Sequence, residues 1–249
     1  VVSVRDKRKI SAKSVQNPND PDAEYRGKHK QKVKGFSANI TETLPEKDKP
    51  SLITDVKVKG ATAADNDFFE DAVKATEEVT GDDVETAYVD GAYQSQSNRD
   101  FAKDEKINIV AGGLQGKPSR FDLNKTGPQT LEVTDKTTGE VKTAVSVKPD
   151  KWKIDLVDAN GKKTYRYFSK EQVDRAEVRR KVDAIPFDER KKRNNIEAAM
   201  FQYSFHTRNN KTRYRTLIKH SLQAIARCAW MNMRRLFWFD CKFSLQIAK

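Results

Sequence analysis

Between residues 35 and 113 the chain changes period in an order that few folds accommodate. Residues 35–43 (GFSANITET) set Phe36, Ala38 and Ile40 against Ser37, Asn39 and Thr41, the two-residue alternation of a strand with one covered face. Residues 45–50 begin and end in proline and read as a turn, and residues 51–59 (SLITDVKVK) return as a second strand. Residues 64–80 then take a helical period, with Phe68, Phe69, Ala72, Val73 and Thr76 on one face and Asp65 or Asp67 placed to cap it. A strand at 84–89, a helix at 94–106 and a strand at 107–111 follow. A hairpin followed by strand, helix and strand predicts an α/β domain with a mixed sheet flanked by helices.

The texture is different on either side of this core. Residues 5–32 are polar and rich in Pro, Asn and Asp, and read as loop; residues 1–4 are a short β-branched run. Residues 114–168 look β-rich, with strands expected at 130–134, 141–147, 152–157 and 164–168, and Asn160-Gly161 as a hairpin turn. A charged helix is expected at 169–183 with Ser169 as its cap, another near 189–206, and a long last helix near 212–239. The domain division this implies is a core at 1–113, a β-rich insertion at 114–168 and a helical C-terminal part at 169–249.

Charge is the second constraint. The chain carries a net +12, and from Pro186 onward fourteen basic residues face only four acidic ones. So local an excess predicts an anionic partner, nucleic acid first. The run Arg208, Lys211, Arg213, Tyr214, Arg215 and Lys219 combines phosphate-binding cations with an aromatic able to stack on a base or sugar. No apolar run approaches the ~18 residues that a membrane-spanning helix needs. Cys228 and Cys241 form neither a disulfide scaffold nor a zinc motif, which fits a reducing cytoplasm. His29, His206 and His220 make no metal-binding pattern. Phosphate-loop, dinucleotide and nucleophile-elbow motifs are absent. Trp230, Met231, Met233, Leu236 and Phe237 on the last helix read as core.

Two carboxylates stand out. Asp90 follows a strand and precedes Gly91, the edge of an α/β sheet where active-site groups gather. Glu197 is the one acidic residue inside the basic helical region, with Arg193 four positions before it. Taken singly, each has an ordinary reading: Asp-Gly is turn chemistry, and an exposed Arg–Glu pair on a helix is worth about 0.3–0.5 kcal/mol.

Four stretches in order, residues 19–43, 51–73, 88–98 (YVDGAYQSQSN) and 193–220 (RNNIEAAMFQYSFHTRNNKTRYRTLIKH), resemble the catalytic domain of bacterial insertion-sequence transposases of the DDE type. The resemblance implies an RNase H-like mixed sheet with a β-rich insertion before the last catalytic helix. It implies that Asp90 and Glu197 are metal ligands, with Arg193 orienting Glu197 or a phosphate. The cofactor implied is Mg²⁺ or Mn²⁺, as two ions, and the partner is double-stranded DNA at transposon ends and target. The activity implied is strand cleavage followed by strand transfer, in a bacterial cytoplasm at the nucleoid, with a homodimer on paired ends as the assembly the resemblance allows. Hard cations prefer oxygen ligands, and two such ions activate a nucleophile and stabilise a leaving oxyanion.

Three positions depart from that family. Its first catalytic Asp has no match here, and the strand carrying it is expected before Val1. Thr216 stands where relatives have Gly, and Ser204 where some branches have Lys. The alternative is therefore a truncated or decayed transposase that binds DNA without cutting it. Another RNase H-like nuclease, such as a resolvase, and a purely structural basic protein rank below these.

Overall fold

The protein is described by a computed structural model covering residues 6, 9–15, 17–28, 31–114, 116–127, 129–157, 161, 163–205, 207 and 211–247. The β-branched run at 1–4, Arg208, Asn160, His29 and His206 fall outside these residues. The fold is mixed α/β, and it divides into two compact units, Val1–Ile109 with Lys191–Lys249, and Val110–Arg190.

The first unit holds two small sheets. Strands β1 (Glu24–Lys28), β2 (Gln31–Glu42) and β3 (Ile53–Gly60) form an antiparallel sheet in that order. β2 pairs with β1 through Gln31–Gly35 and with β3 from Phe36 to Glu42, with a bulge after Thr41. β1 lies inside the stretch expected to be loop, where Arg26 and Lys28 mask the alternation. β4 (Thr86–Val89) and β5 (Asn108–Ala111) form a separate two-stranded sheet.

The helical signals are confirmed with sharper ends. A 3-10 turn at Asp65–Phe68 leads into α1 (Phe69–Thr80), and the Asp67 carboxylate accepts the Ala64 amide at 3.2 Å. α1 stops at Gly81, whose φ of 74° permits the left-handed cap that a side chain resists. α2 (Gln96–Asp104) is capped by Ser95, whose hydroxyl accepts the Asn98 amide.

Both sheets of this unit meet α1. On one side, Phe69 and Val73 of α1 and Ala102 of α2 pack with Ala87, Val89 and Ile109 of β4 and β5. α1 also reaches β3, where Asp71 pairs with Lys57 at 3.1 Å and Thr76 hydrogen-bonds Thr54 at 2.8 Å. On the other side, Ala199 of α5 (Asn194–Ser204) and Cys228 and Met231 of α6 (Leu217–Ile247) pack on Ile40, Ile53 and Val56.

The helix expected at 189–206 is broken. α4 (Phe187–Lys191) ends, the chain makes a turn at Lys192 and Arg193, and α5 begins. At this turn the amides of Asn195 and Ile196 bond back three residues, to the Lys192 and Arg193 carbonyls. The reading of the α6 aromatics as core also needs correction. Only Met231 is buried, at 3% exposure, whereas Trp230, Met233 and Phe237 are 52%, 62% and 61% exposed. The helical period decides this: Ala224, Cys228 and Met231 form the packed stripe, and the other side chains rotate onto the open face.

The second unit is an antiparallel five-stranded sheet in the order β10-β9-β8-β7-β6. Its strands are β6 (Phe121–Lys125), β7 (Leu131–Asp135), β8 (Val141–Lys148), β9 (Lys151–Val157) and β10 (Lys163–Ser169). One face is closed by α3 (Lys170–Asp183), with Leu131, Val133, Trp152, Ile154, Phe168 and Val173 in one core. The opposite face carries Val145, Tyr165 and Tyr167, all exposed, the two-sided character of an antiparallel sheet. Because Val173 and Ala176 pack on this sheet, α3 belongs to the β-rich unit. The units therefore divide at Ile109/Val110 and Arg190/Lys191, compared with 113/114 and 168/169 read from composition.

Candidate functional site

A groove of about 1080 Å³ opens in the first unit between β2 and β4. α1 lines it on one side, and α5 and α6 line it on the other through Ile196, Met200, Asn232 and Leu236. Asp90 and Arg193 both line this groove, so two residues 103 positions apart in sequence (193 against 90) share one wall system.

Asp90 ends β4 in an extended conformation, with φ −77° and ψ 159°, and caps a 3-10 turn over Gly91–Tyr93. Its Oδ1 accepts the Gly91 amide at 2.7 Å, and the side chain is exposed. Its neighbour Tyr93 donates its hydroxyl to Asn39 Oδ1 at 2.6 Å, tying the end of β4 to β2. Burial, then the negative charges of Asp65 and Asp90, push the Tyr93 phenol up to about 12, so it stays a hydrogen-bond donor at any physiological pH. Tyr93 and Asn39 escaped the sequence reading. An aromatic three residues past a strand-end Asp was the one available signal.

Arg193 sits at the N-terminus of α5 and donates to Glu197 Oε1 at 2.5 Å. Glu197 lies one turn further along, outside the groove lining, with its side chain 60% exposed against 26% for Arg193. The groove therefore takes Asp90 and Arg193 directly and Glu197 through Arg193. Lys192 adds a further cation, its Nζ 3.3 Å from the Tyr88 hydroxyl on β4.

Two of the basic residues on α6 are engaged within the fold. Arg235 is committed to Glu42 at 2.8 Å and Arg227 to the Gln202 carbonyl at 2.7 Å. Lys211, Arg213, Tyr214, Arg215 and Lys219 are all exposed, and Tyr214 is 51% exposed. They occupy the segment leading into α6 and its first turn. That segment is anchored from below: the Thr216 and Leu217 amides donate to Asp20 and Asp22, and His220 stacks on Phe36 with ring centroids 4.3 Å apart. The polar loop at 20–22 thus caps a helix.

Among the described residues, no three His, Cys, Asp or Glu side chains gather closely enough to hold a metal ion. What Asp90 and Glu197 offer is oxygen alone. This fits a cation such as magnesium, which takes one or two carboxylates and completes its shell with substrate phosphate and water. No helix among the described residues is long and apolar enough to cross a membrane. No known protein family, curated protein or solved structure matches this chain.

Proposed function

We propose that this chain is the RNase H-like catalytic domain of a DDE-type transposase, acting on double-stranded DNA by metal-dependent strand cleavage and strand transfer. The observation that supports the reading is that Asp90 and Arg193, the latter holding Glu197, line one groove. In this reading Asp90 and Glu197 hold Mg²⁺, which supplies Lewis-acid activation of a nucleophile and stabilisation of the leaving oxygen. Arg193 fixes the Glu197 carboxylate. Lys211, Arg213, Arg215 and Lys219 neutralise backbone phosphates, and Tyr214 stacks on an exposed base or sugar.

The test uses duplex DNA carrying the ends of the element. Wild-type protein is expected to nick it with Mg²⁺, and Asp90→Asn or Glu197→Gln to lose nicking while binding is retained. Normal nicking by either variant would sink the assignment. Replacing Lys211, Arg213 and Arg215 by Gln should weaken binding and flatten its salt dependence by about 0.9 for each phosphate no longer neutralised.

The second reading is a domain that binds DNA without cutting it. It is favoured by the lack, among the described residues, of a third acidic or imidazole partner near a possible metal pair. Salt-sensitive binding with no metal-dependent nicking by the wild type identifies it.

A further inference from the structure

The groove between β2 and β4 has walls of an unusual kind: both are edges of sheets. β2 is paired on both sides only in part. Among the described residues β1 covers it through Gly35 and no further, while β3 continues along the opposite edge to Glu42. The Gly35 carbonyl accepts the Ala61 amide, on the β3 side. Alternation in an antiparallel ladder then gives the backbone of Ser37, Asn39 and Thr41 to β3 and aims that of Ala38 and Ile40 at the other edge, toward the groove. Facing it, β4 has one strand neighbour among the described residues, β5.

One helix bridges the gap and two more line its far side. α1 packs on β4 and on β3, and it lines the groove through Phe69, Ala72 and Val73. The far side is closed by Ile196 of α5 and Leu236 of α6. An open sheet edge invites another strand, and here two edges face one space that already has helices above and below.

We propose that this groove accepts one extended β-strand, which pairs with β2 and β4 together and joins the two sheets into one. The chemistry of the walls specifies the strand. Its amides and carbonyls must bond on both sides, which a helix or a small apolar ligand cannot do. Covered on both faces, it must be apolar at successive positions and not only at alternate ones. The free stretch of β2 from Phe36 to Glu42 fits a strand of about seven residues, about 24 Å long. Tyr93 ties the end of β4 to the first half of this stretch, so the end of β2 and the start of β4 share one mouth. Glu46, Asp82, Asp83 and Glu85 line that mouth against Lys49, so the strand carries a cation there. This inference stands on the groove walls and not on the DNA reading, and either can fail alone.

The probe is a synthetic peptide, Lys-Lys-Val-Ile-Val-Tyr-Val-Ile-Thr, added to the full chain and followed by amide hydrogen exchange. Its control carries proline at the second and third valines. The first peptide is expected to slow exchange at Ala38 and Ile40 about tenfold or more, leaving Asn39, already bonded to β3, little changed. The proline peptide is expected to do neither. Ala38→Pro removes the groove-facing amide while sparing the β2–β3 ladder, and should lose peptide binding about tenfold. Equal binding of the proline peptide overturns the proposal. So does binding without protection of Ala38 and Ile40, which would mark an apolar-ligand pocket, and so does no protection at saturating peptide.

Discussion

Asp20 and Thr216, 196 positions apart in sequence, meet at 2.9 Å, the Asp20 carboxylate accepting the Thr216 amide. Thr216 holds φ at 72°, a left-handed conformation that costs a β-branched residue about 1–2 kcal/mol. It is also the position where the resembled transposases have Gly. Thr216→Gly is therefore expected to stabilise the protein by about 1 kcal/mol, a rise in melting temperature of about 2–4 °C. Asp20→Ala should lower stability by about 1 kcal/mol through loss of the cap. Thermal unfolding of both variants checks the pair, and two unchanged midpoints would refute it.

Asn232 gives a second check. Its carboxamide accepts the Ile53 amide and donates to the Ile53 carbonyl, both at 2.8 Å, so a helix side chain completes the end of a strand. Asn232→Ala leaves both backbone groups without these partners and is expected to cost about 1–3 kcal/mol. Chemical denaturation measures it. Asn232→Asp should cost more than Asn232→Gln, because a carboxylate cannot donate to the Ile53 carbonyl.

The β-rich unit carries a pH signature. The Arg120 guanidinium, together with the Thr137 amide, holds the Asp135 carboxyl down to about 2. A carboxylate whose folded pKa lies below its unfolded value adds stability that is full above about pH 4 and is lost as pH falls toward 2. Acid titration of wild type against Asp135→Asn should show the difference between them shrinking over that window. A constant difference from pH 6 to pH 2 would remove Asp135 as its source.

The two cysteines should react at different rates. Cys228 is 3% exposed, and burial pushes its thiol up to about 11, whereas Cys241 is partly exposed. The thiolate is the reactive form, so iodoacetamide at pH 8 should modify Cys241 first and Cys228 only on unfolding. Peptide mapping after timed alkylation reads the order. Equal rates would mean that the Ile40–Met231 core opens readily.

The parts of the fold that were legible are those where a single face is buried. α1 and most strands of the second unit show their period because one side meets a core and the other meets water. β1 and β6 were missed because charged or polar residues occupy their alternate positions, Arg26 and Lys28 in one and Asp122 and Asn124 in the other. At the candidate site, Asp90, Arg193 and Glu197 were singled out from the sequence; Asp90 and Arg193 line the groove, and Glu197 lies outside its lining. Tyr93, Asn39 and Lys192 were not found, since their places depend on pairings spanning 54 and 104 positions. No local pattern encodes such distances. The exposure of Trp230 and Phe237 was missed for the opposite reason: hydrophobicity says what a side chain prefers, and the helix axis fixes where it must point.

The second unit enters at Val110, leaves at Arg190 and closes its own core with Phe121, Leu131, Trp152, Phe168 and Val173. A block that keeps its greasy interior to itself is portable. Such a block can be lengthened or exchanged near its two junctions while the core of Ile40, Ile53, Ala199, Cys228 and Met231 in the other unit is left alone. Heredity can edit such a chain by the paragraph as well as by the letter.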